Sequence, residues 1–174
     1  MVSYALCYPT FSPEDGRLVE QFRRTFEPDR ARLVGAHVTL VFGTGLVAPP
    51  ELSRLVRRAI GTIPRFSTTL ARVATDEDPI SGSFKLYLVP SDGQAQFRSM
   101  YRRLHAGRLA RDVRPNTPFA PHITIATSRI EADIAQARVE ARALPLPMAA
   151  TIDSVVIASL RDHILSEVDT IPLA

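Results

Sequence analysis

The sequence predicts an α+β fold with two lobes, in which two antiparallel sheets related by a pseudo-twofold axis, with flanking helices, surround a central cleft. Two observations support this fold class. The pattern His37-Val38-Thr39-Leu40 returns as His122-Ile123-Thr124-Ile125, 85 residues later. Helical and strand-like segments recur at the same offset around each copy. Because the two halves share little sequence identity, a coincidental order of elements is the alternative.

The elements of the first half follow from periodicity and capping residues. A strand over residues 3–8 precedes a helix over 13–26, for which Ser12 is a typical N-cap. The strand that contains His37 comes next. A helix over 50–60 begins at a proline, and strands over 68–74 and 83–89 complete the half.

The second half repeats this order. Helices are predicted over 94–104 and 131–143, on either side of the strand that contains His122, and strands over 151–160 and 163–171 end the chain. The pseudo-repeats therefore span about 12–90 and 91–174, and the strand over 3–8 has no copy. The longest predicted loops are 76–82 and 106–118.

Size and composition favour one domain over residues 1–174. The chain is 45% apolar, which is enough for a core without disulfides or a metal. Its net charge is +3, and every basic residue except Lys85 is an arginine, which permits a polyanionic partner without requiring one. A single cysteine, Cys7, and the lack of a long apolar run lead us to expect a cytoplasmic monomer that has no membrane segment.

Strand geometry predicts which side chains of the repeated pattern lie on the same face. Successive side chains of a strand point to opposite faces, so His37 and Thr39 share one face, and His122 and Thr124 share the corresponding face of the other strand. A histidine pair of which one ring is neutral and the other protonated suits general base and general acid catalysis. Threonine hydroxyls nearby can donate to the oxygens of a reacting phosphorus. The combination indicates phosphoryl transfer that uses no metal and no cofactor.

Two other interpretations remain open. A single His-x-Thr on a strand is more often an interior histidine with satisfied hydrogen bonds, although two copies make this less favourable. The two histidines are also a metal-binding alternative, but a site with two ligands and no carboxylate or thiolate close in sequence is poor. The sequence contains no glycine-rich phosphate loop and no Cys-x-x-Cys pair.

At these residues the sequence resembles the 2H phosphoesterases, and within them the 2′-5′ RNA ligase-like 2′,3′-cyclic phosphodiesterases. The resemblance rests on the segments around the two patterns, which read HVTLVFG from His37 and FAPHITIA from Phe119, and on their separation. It implies that His37 and His122 are the catalytic acid and base, with His122 as the base, and that Thr39 and Thr124 bind the phosphate. Many members carry an arginine five residues after the second histidine, whereas this chain has Thr127 there.

Further residues are candidates for substrate contacts. Arg129 is the arginine nearest to position 127, and Tyr8 and Phe11 follow the first strand, where they could stack on a nucleobase. Phe42 falls on the face of Val38 and Leu40 by alternation, which predicts a core position.

The resemblance implies hydrolysis of a 2′,3′-cyclic phosphate on an RNA end or a nucleotide, with RNA ligation to a 5′-hydroxyl as the same chemistry on a different substrate. The alternatives are a 2′-5′ oligonucleotide phosphodiesterase and a binding module for nucleotides or RNA ends that has no turnover.

Overall fold

The computed structural model describes residues 1–78, 81–113 and 118–174. The two longest predicted loops therefore lie partly outside the described residues, at 79–80 and 114–117. The strands are β1 (Val2–Cys7), β2 (Thr10–Phe11), β3 (Val38–Thr44), β4 (Phe66–Asp78), β5 (Ser83–Pro90), β6 (Ile123–Ser128), β7 (Met148–Ile152), β8 (Ser154–Arg161) and β9 (Ile164–Pro172). The helices are α1 (Pro13–Phe26), α2 (Pro28–Leu33), α3 (Pro49–Ile60), α4 (Gln94–Leu104) and α5 (Glu131–Glu140), and short 3-10 helices cover Arg108–Asp112 and Ala141–Ala143.

The strands found in the described residues form one antiparallel sheet in the order β2-β7-β4-β5-β6-β3-β1-β8-β9. Read outward from the β6–β3 pair, this order is β5, β4, β7 on one side and β1, β8, β9 on the other. The predicted α+β class and its pseudo-twofold relation are confirmed. The two expected sheets meet where Val38 pairs with Ile123, and so they join into one.

The symmetric order gives β1 a counterpart that the sequence pattern did not reveal. On one side of the central pair β1 lies beside β3, and on the other side β5 lies beside β6. This order matches β1, β3 and β4 with β5, β6 and β8, so that β5 begins the second repeat, whereas the predicted boundary near residue 90 put it at the end of the first. The outer strand of each unit pairs with strands of the other half, β4 with β7 and β8 with β1.

The sheet is strongly curled. In the strand order, β2 and β1 are six positions apart, roughly 29 Å in a flat sheet. Along the chain, only Tyr8 and Pro9 separate the two strands, a distance of at most about 11 Å. The sheet must therefore bend, and β3 and β6 lie at the centre of the curve.

The second half differs from the prediction in one strand. The single strand expected over 151–160 is two strands, β7 and β8, that separate at Asp153. β7 pairs with β4, and β8 pairs with β1 and β9, so the two lie on opposite sides of the central pair. The apolar pattern continues through the break because both strands are buried, and this hides the change of partner.

The helices begin and end close to the predicted positions. Ser12 caps α1 as expected, and its Oγ accepts a hydrogen bond from the Asp15 N–H at 3.1 Å. The six-residue α2 was not predicted; it starts at Pro28, directly after α1. None of the helices in the described segments combines the length and apolar character needed to span a bilayer.

Candidate active site

The two His-x-Thr patterns lie side by side at the start of the paired strands β3 and β6, with each histidine immediately before its strand. These strands are antiparallel, and Val38 pairs with Ile123. Continued for one residue on either side, this register places His37 across from Thr124, and Thr39 across from His122. Residues that face each other in this way have Cβ atoms about 5 Å apart. Each histidine is thus adjacent to the threonine of the other pattern.

The faces of the two strands are as predicted from alternation. Val38, Leu40, Ile123 and Ile125 are at most 2% exposed and belong to the core. The two histidines and the two threonines between them are only partly buried. An apolar layer therefore fixes the strands from one side, while the imidazoles and hydroxyls remain accessible from the other.

Both imidazoles are oriented by the same backbone contact. Nδ1 of His37 lies 2.7 Å from the carbonyl oxygen of Gly35, and Nδ1 of His122 lies 2.8 Å from that of Ala120. A carbonyl oxygen only accepts, so Nδ1 of each neutral ring carries the proton and donates it. Nε2 is consequently the ring nitrogen that could exchange a proton with a bound ligand. The carbonyl lies two residues before the histidine in both cases.

A tyrosine accompanies each histidine. The Tyr8 ring meets that of His37 edge to face, with centroids 6.0 Å apart, and the Tyr87 ring lies 4.0 Å from that of His122. Burial raises the pKa of both phenols to about 12, so they stay protonated at neutral pH. Tyr8 was predicted as a contact at the site, whereas Tyr87 was missed because its segment reads only as a strand.

Burial lowers the pKa of His37 to about 4. The hydrogen bond to the Gly35 carbonyl opposes this shift, because it stabilises the imidazolium. The positive charges of Arg23 and Arg30 and the charge of His122 lower the pKa further. His37 is therefore neutral at pH 7. The two rings are also close enough to interact electrostatically.

Burial also lowers the pKa of His122, but the surrounding charges differ. The Ala120 carbonyl opposes the shift, Lys85 lowers the pKa, and Asp76 raises it. Lys85 itself forms an ion pair with Asp78, with Nζ 2.6 Å from Oδ2. His122 thus has a carboxylate that raises its pKa, whereas the charges that shift the pKa of His37 all lower it.

A β-bulge follows each pattern and changes which face the next residues occupy. In β3, Thr39 pairs with Leu6 but Val41 with Ala5, and in β6 an equivalent shift follows Thr124. The extra residue turns Phe42 away from the core, and it is 50% exposed. The predicted core position of Phe42 is wrong for this reason. Thr127, at the equivalent position of β6, donates to Glu27 Oε2 at 3.3 Å.

The other two predicted substrate contacts lie outside the His-x-Thr strands. Arg129 follows the end of β6, seven residues beyond His122, which is roughly 23 Å along an extended strand. Phe11 lies in β2 at one edge of the sheet and packs against the core.

Comparison with known proteins identifies the family. The model of the 2′-5′ RNA ligase superfamily matches residues 11–163. The chain belongs to the 2′-5′ RNA ligase superfamily. No curated protein sequence matches it significantly.

Several solved structures have the same fold as this protein over nearly the whole chain. A structure of E. coli LigT complexed with 3′-AMP has a TM-score of 0.59 at 19% identity and covers 99% of this chain and 98% of its own. Kluyveromyces marxianus Usb1 with uridine monophosphate has a TM-score of 0.57 at 11% identity, with the same coverage. A further structure described as a phosphoesterase has a TM-score of 0.56 at 19% identity, covering 100% of this chain and 99% of its own. At these identities the similarity establishes the fold.

Proposed function

We propose that the protein is a metal-independent phosphodiesterase that hydrolyses 2′,3′-cyclic phosphates of RNA ends or nucleotides. The observation that carries the proposal is the antiparallel register of β3 and β6, which sets two Nδ1-anchored histidines beside two threonine hydroxyls. Membership of a superfamily of phosphoesterases and RNA ligases supports an enzyme of this general type. The nucleotide complexes of LigT and Usb1 belong to those proteins and make a nucleotide the natural ligand to test here.

The reaction divides into two proton transfers at one phosphorus. The Nε2 atom of one histidine takes a proton from water as the water oxygen bonds to phosphorus. The P–O3′ bond breaks, and the other histidine gives its Nε2 proton to O3′, which leaves a 2′-phosphate and a free 3′-hydroxyl. Thr39 and Thr124 donate hydrogen bonds to the non-bridging oxygens, where negative charge increases in the transition state.

The surroundings of the two rings favour His37 as the base and His122 as the acid. Burial, together with the positive charges of Arg23 and Arg30, lowers the pKa of His37 and keeps the ring neutral, as a base requires. Burial and Lys85 also lower the pKa of His122, but Asp76 favours a proton there. No carboxylate in the described residues has that effect on His37. This assignment is the reverse of the one that the family resemblance implies. With a 5′-hydroxyl in place of water, the same base and acid would join the cyclic phosphate to that hydroxyl, so the same residues would serve hydrolysis and ligation.

The pH dependence of kcat/KM for a 2′,3′-cyclic nucleotide, measured with EDTA present, is expected to be bell-shaped with its maximum below pH 6.5. Protonation of His37 as the pH falls through about 4 removes the base. Loss of the His122 proton as the pH rises through its lowered pKa removes the acid. Because the two rings interact, the two apparent pKa values belong to the pair.

The same assay separates the alternatives. Absence of turnover at every pH, together with measurable nucleotide binding, would indicate a binding module. Activity that EDTA abolishes and a divalent cation restores would contradict the metal-independent mechanism. A 2′-5′ linked dinucleotide cleaved faster than the cyclic phosphate would favour the oligonucleotide phosphodiesterase.

A further inference from the structure

Arg23 is a buried cation that belongs to neither His-x-Thr pattern. It lies in α1 and is 1% exposed. Its Nε donates to Glu27 Oε1 at 2.7 Å, and its Nη1 donates to both carboxylate oxygens of Glu20 at 3.1 Å. A buried guanidinium is tolerated only when its charge and donors are satisfied, and two carboxylates satisfy most of them here. We call Glu20, Arg23 and Glu27 the Arg23 cluster.

The Arg23 cluster contacts the backbone on both sides of Gly35. Arg23 Nη2 donates to the carbonyl oxygen of Val34 at 2.9 Å. The N–H of Ala36 donates to Glu20 Oε1 at 2.6 Å. Gly35, between them, supplies the carbonyl that accepts the hydrogen bond from His37 Nδ1. The cluster therefore fixes the two peptide groups that determine where this carbonyl points.

A further contact joins the cluster to the other histidine strand. Thr127 of β6 donates to Glu27 Oε2, the carboxylate oxygen that Arg23 Nε does not contact. Hence the side chains of α1 and of its C-cap residue Glu27 reach both the segment that leads into β3 and the strand that follows His122.

The corresponding segment before His122 is held in a different way. Phe119 stacks on Tyr101 with ring centroids 4.2 Å apart and an angle of 5°, and Tyr101 stacks on His105 at 4.0 Å. Ala120, which supplies the carbonyl for His122, follows Phe119 directly. Aromatic stacking therefore occupies the position that ionic contacts occupy before His37. This difference provides a control within the molecule, since a change in the Arg23 cluster acts first on His37.

We propose that the Arg23 cluster is a positioning device that orients the His37 ring through the Gly35 carbonyl, an inference that rests on the proposed catalytic role of His37. A contribution to stability does not by itself explain why the buried charges are present, because apolar residues of similar volume often stabilise a protein at least as well as a buried ionic group does. Orientation of the His37 ring explains their presence better. A small displacement of a catalytic group can reduce the rate a hundredfold.

The decisive comparison is between Glu20→Ala and Glu20→Gln. Alanine removes the acceptor for the Ala36 N–H, whereas glutamine keeps an amide oxygen there. We expect Glu20→Ala to lower kcat at least tenfold with KM within about threefold of the wild type, and Glu20→Gln to recover most of the loss. Glu14→Ala, on the exposed first turn of the same helix, is the matched control and should leave kcat unchanged.

Nitrogen-15 NMR of the imidazole rings provides a readout that needs no activity. In the wild type, both rings should be in the form protonated at Nδ1. In Glu20→Ala, the His37 signals should move toward a mixture of the two neutral forms, while the His122 signals stay unchanged. If the wild-type protein has no phosphodiesterase activity but Glu20→Ala shifts the His37 signals alone, the proposed function fails and the positioning role stands.

The opposite results overturn the positioning role. An unchanged His37 ring and an unchanged kcat in folded Glu20→Ala would do so, as would a lower kcat with His37 signals like those of the wild type. Equal shifts at His37 and His122 would indicate a general loss of structure and would also contradict it. Arg23→Met, which keeps the length of the side chain, repeats the test without the guanidinium, provided that its thermal unfolding remains cooperative.

Discussion

Replacing His37 or His122 by asparagine is expected to lower kcat for a 2′,3′-cyclic nucleotide by at least a hundredfold, within the range of about 10² to 10⁴ that a single general acid or base contributes. Either substitution removes an Nε2 atom, and with it one of the two proton transfers of the proposed ring opening. KM should change much less, because the threonines and the rest of the cleft still hold the phosphate.

Asparagine is the informative replacement because of the anchoring at Nδ1. Its side-chain NH₂ can still donate to the Gly35 or Ala120 carbonyl, so the backbone keeps its partner while the catalytic nitrogen is lost. His163→Asn is the matched control. His163 is exposed in the turn between β8 and β9 at a φ of 64°, a left-handed conformation that asparagine also adopts readily. Initial rates and thermal unfolding should both be measured for the three variants.

The double variant tests whether the two histidines act as one unit. If they do, His37→Asn combined with His122→Asn should be within about tenfold of the slower single variant, because the first substitution already disables the concerted step. Losses that multiply would mean that the two rings contribute independently. A single variant with the wild-type rate would remove that histidine from the mechanism.

The central strands could be predicted from the sequence because a short-range rule governs them. Alternation along β3 and β6 places His37, Thr39, His122 and Thr124 on one face, and the structure agrees. The rule fails after Leu40, where a β-bulge between Thr39 and Val41 turns Phe42 outward. A bulge depends on how a partner strand aligns, which periodicity within a single strand does not record.

Contacts between segments that are distant in sequence could not be predicted for a similar reason. Leu18, Phe22 and Phe26 of α1 belong to or pack against the core, and the helix also buries Arg23. An arginine in a helix is ordinarily exposed, and only the fold shows that Glu20, Glu27 and Val34 surround this one. The anchoring carbonyls could have been found earlier, since Gly35 and Ala120 both lie two residues before a histidine.

Replacing the threonine hydroxyls is expected to give the next largest loss. Thr39→Val and Thr124→Val should each reduce transition-state stabilisation by about 2 to 4 kcal/mol, which corresponds to a fall in kcat of about thirtyfold to a thousandfold. Valine has the shape of threonine and the same preference for strands, so the packing of β3 and β6 should be retained. Thr151→Val, on β7 and also partly buried, is the matched control.

The register of β3 and β6 makes the comparison between the two threonine variants informative. Thr39 is across from His122 and Thr124 is across from His37, so each hydroxyl approaches the phosphorus beside a different proton transfer. Similar losses in kcat would mean that both non-bridging oxygens need a donor in the transition state. A loss confined to KM would instead show that the hydroxyls bind the ground state equally well, and rates like that of Thr151→Val would contradict their assignment to the phosphate.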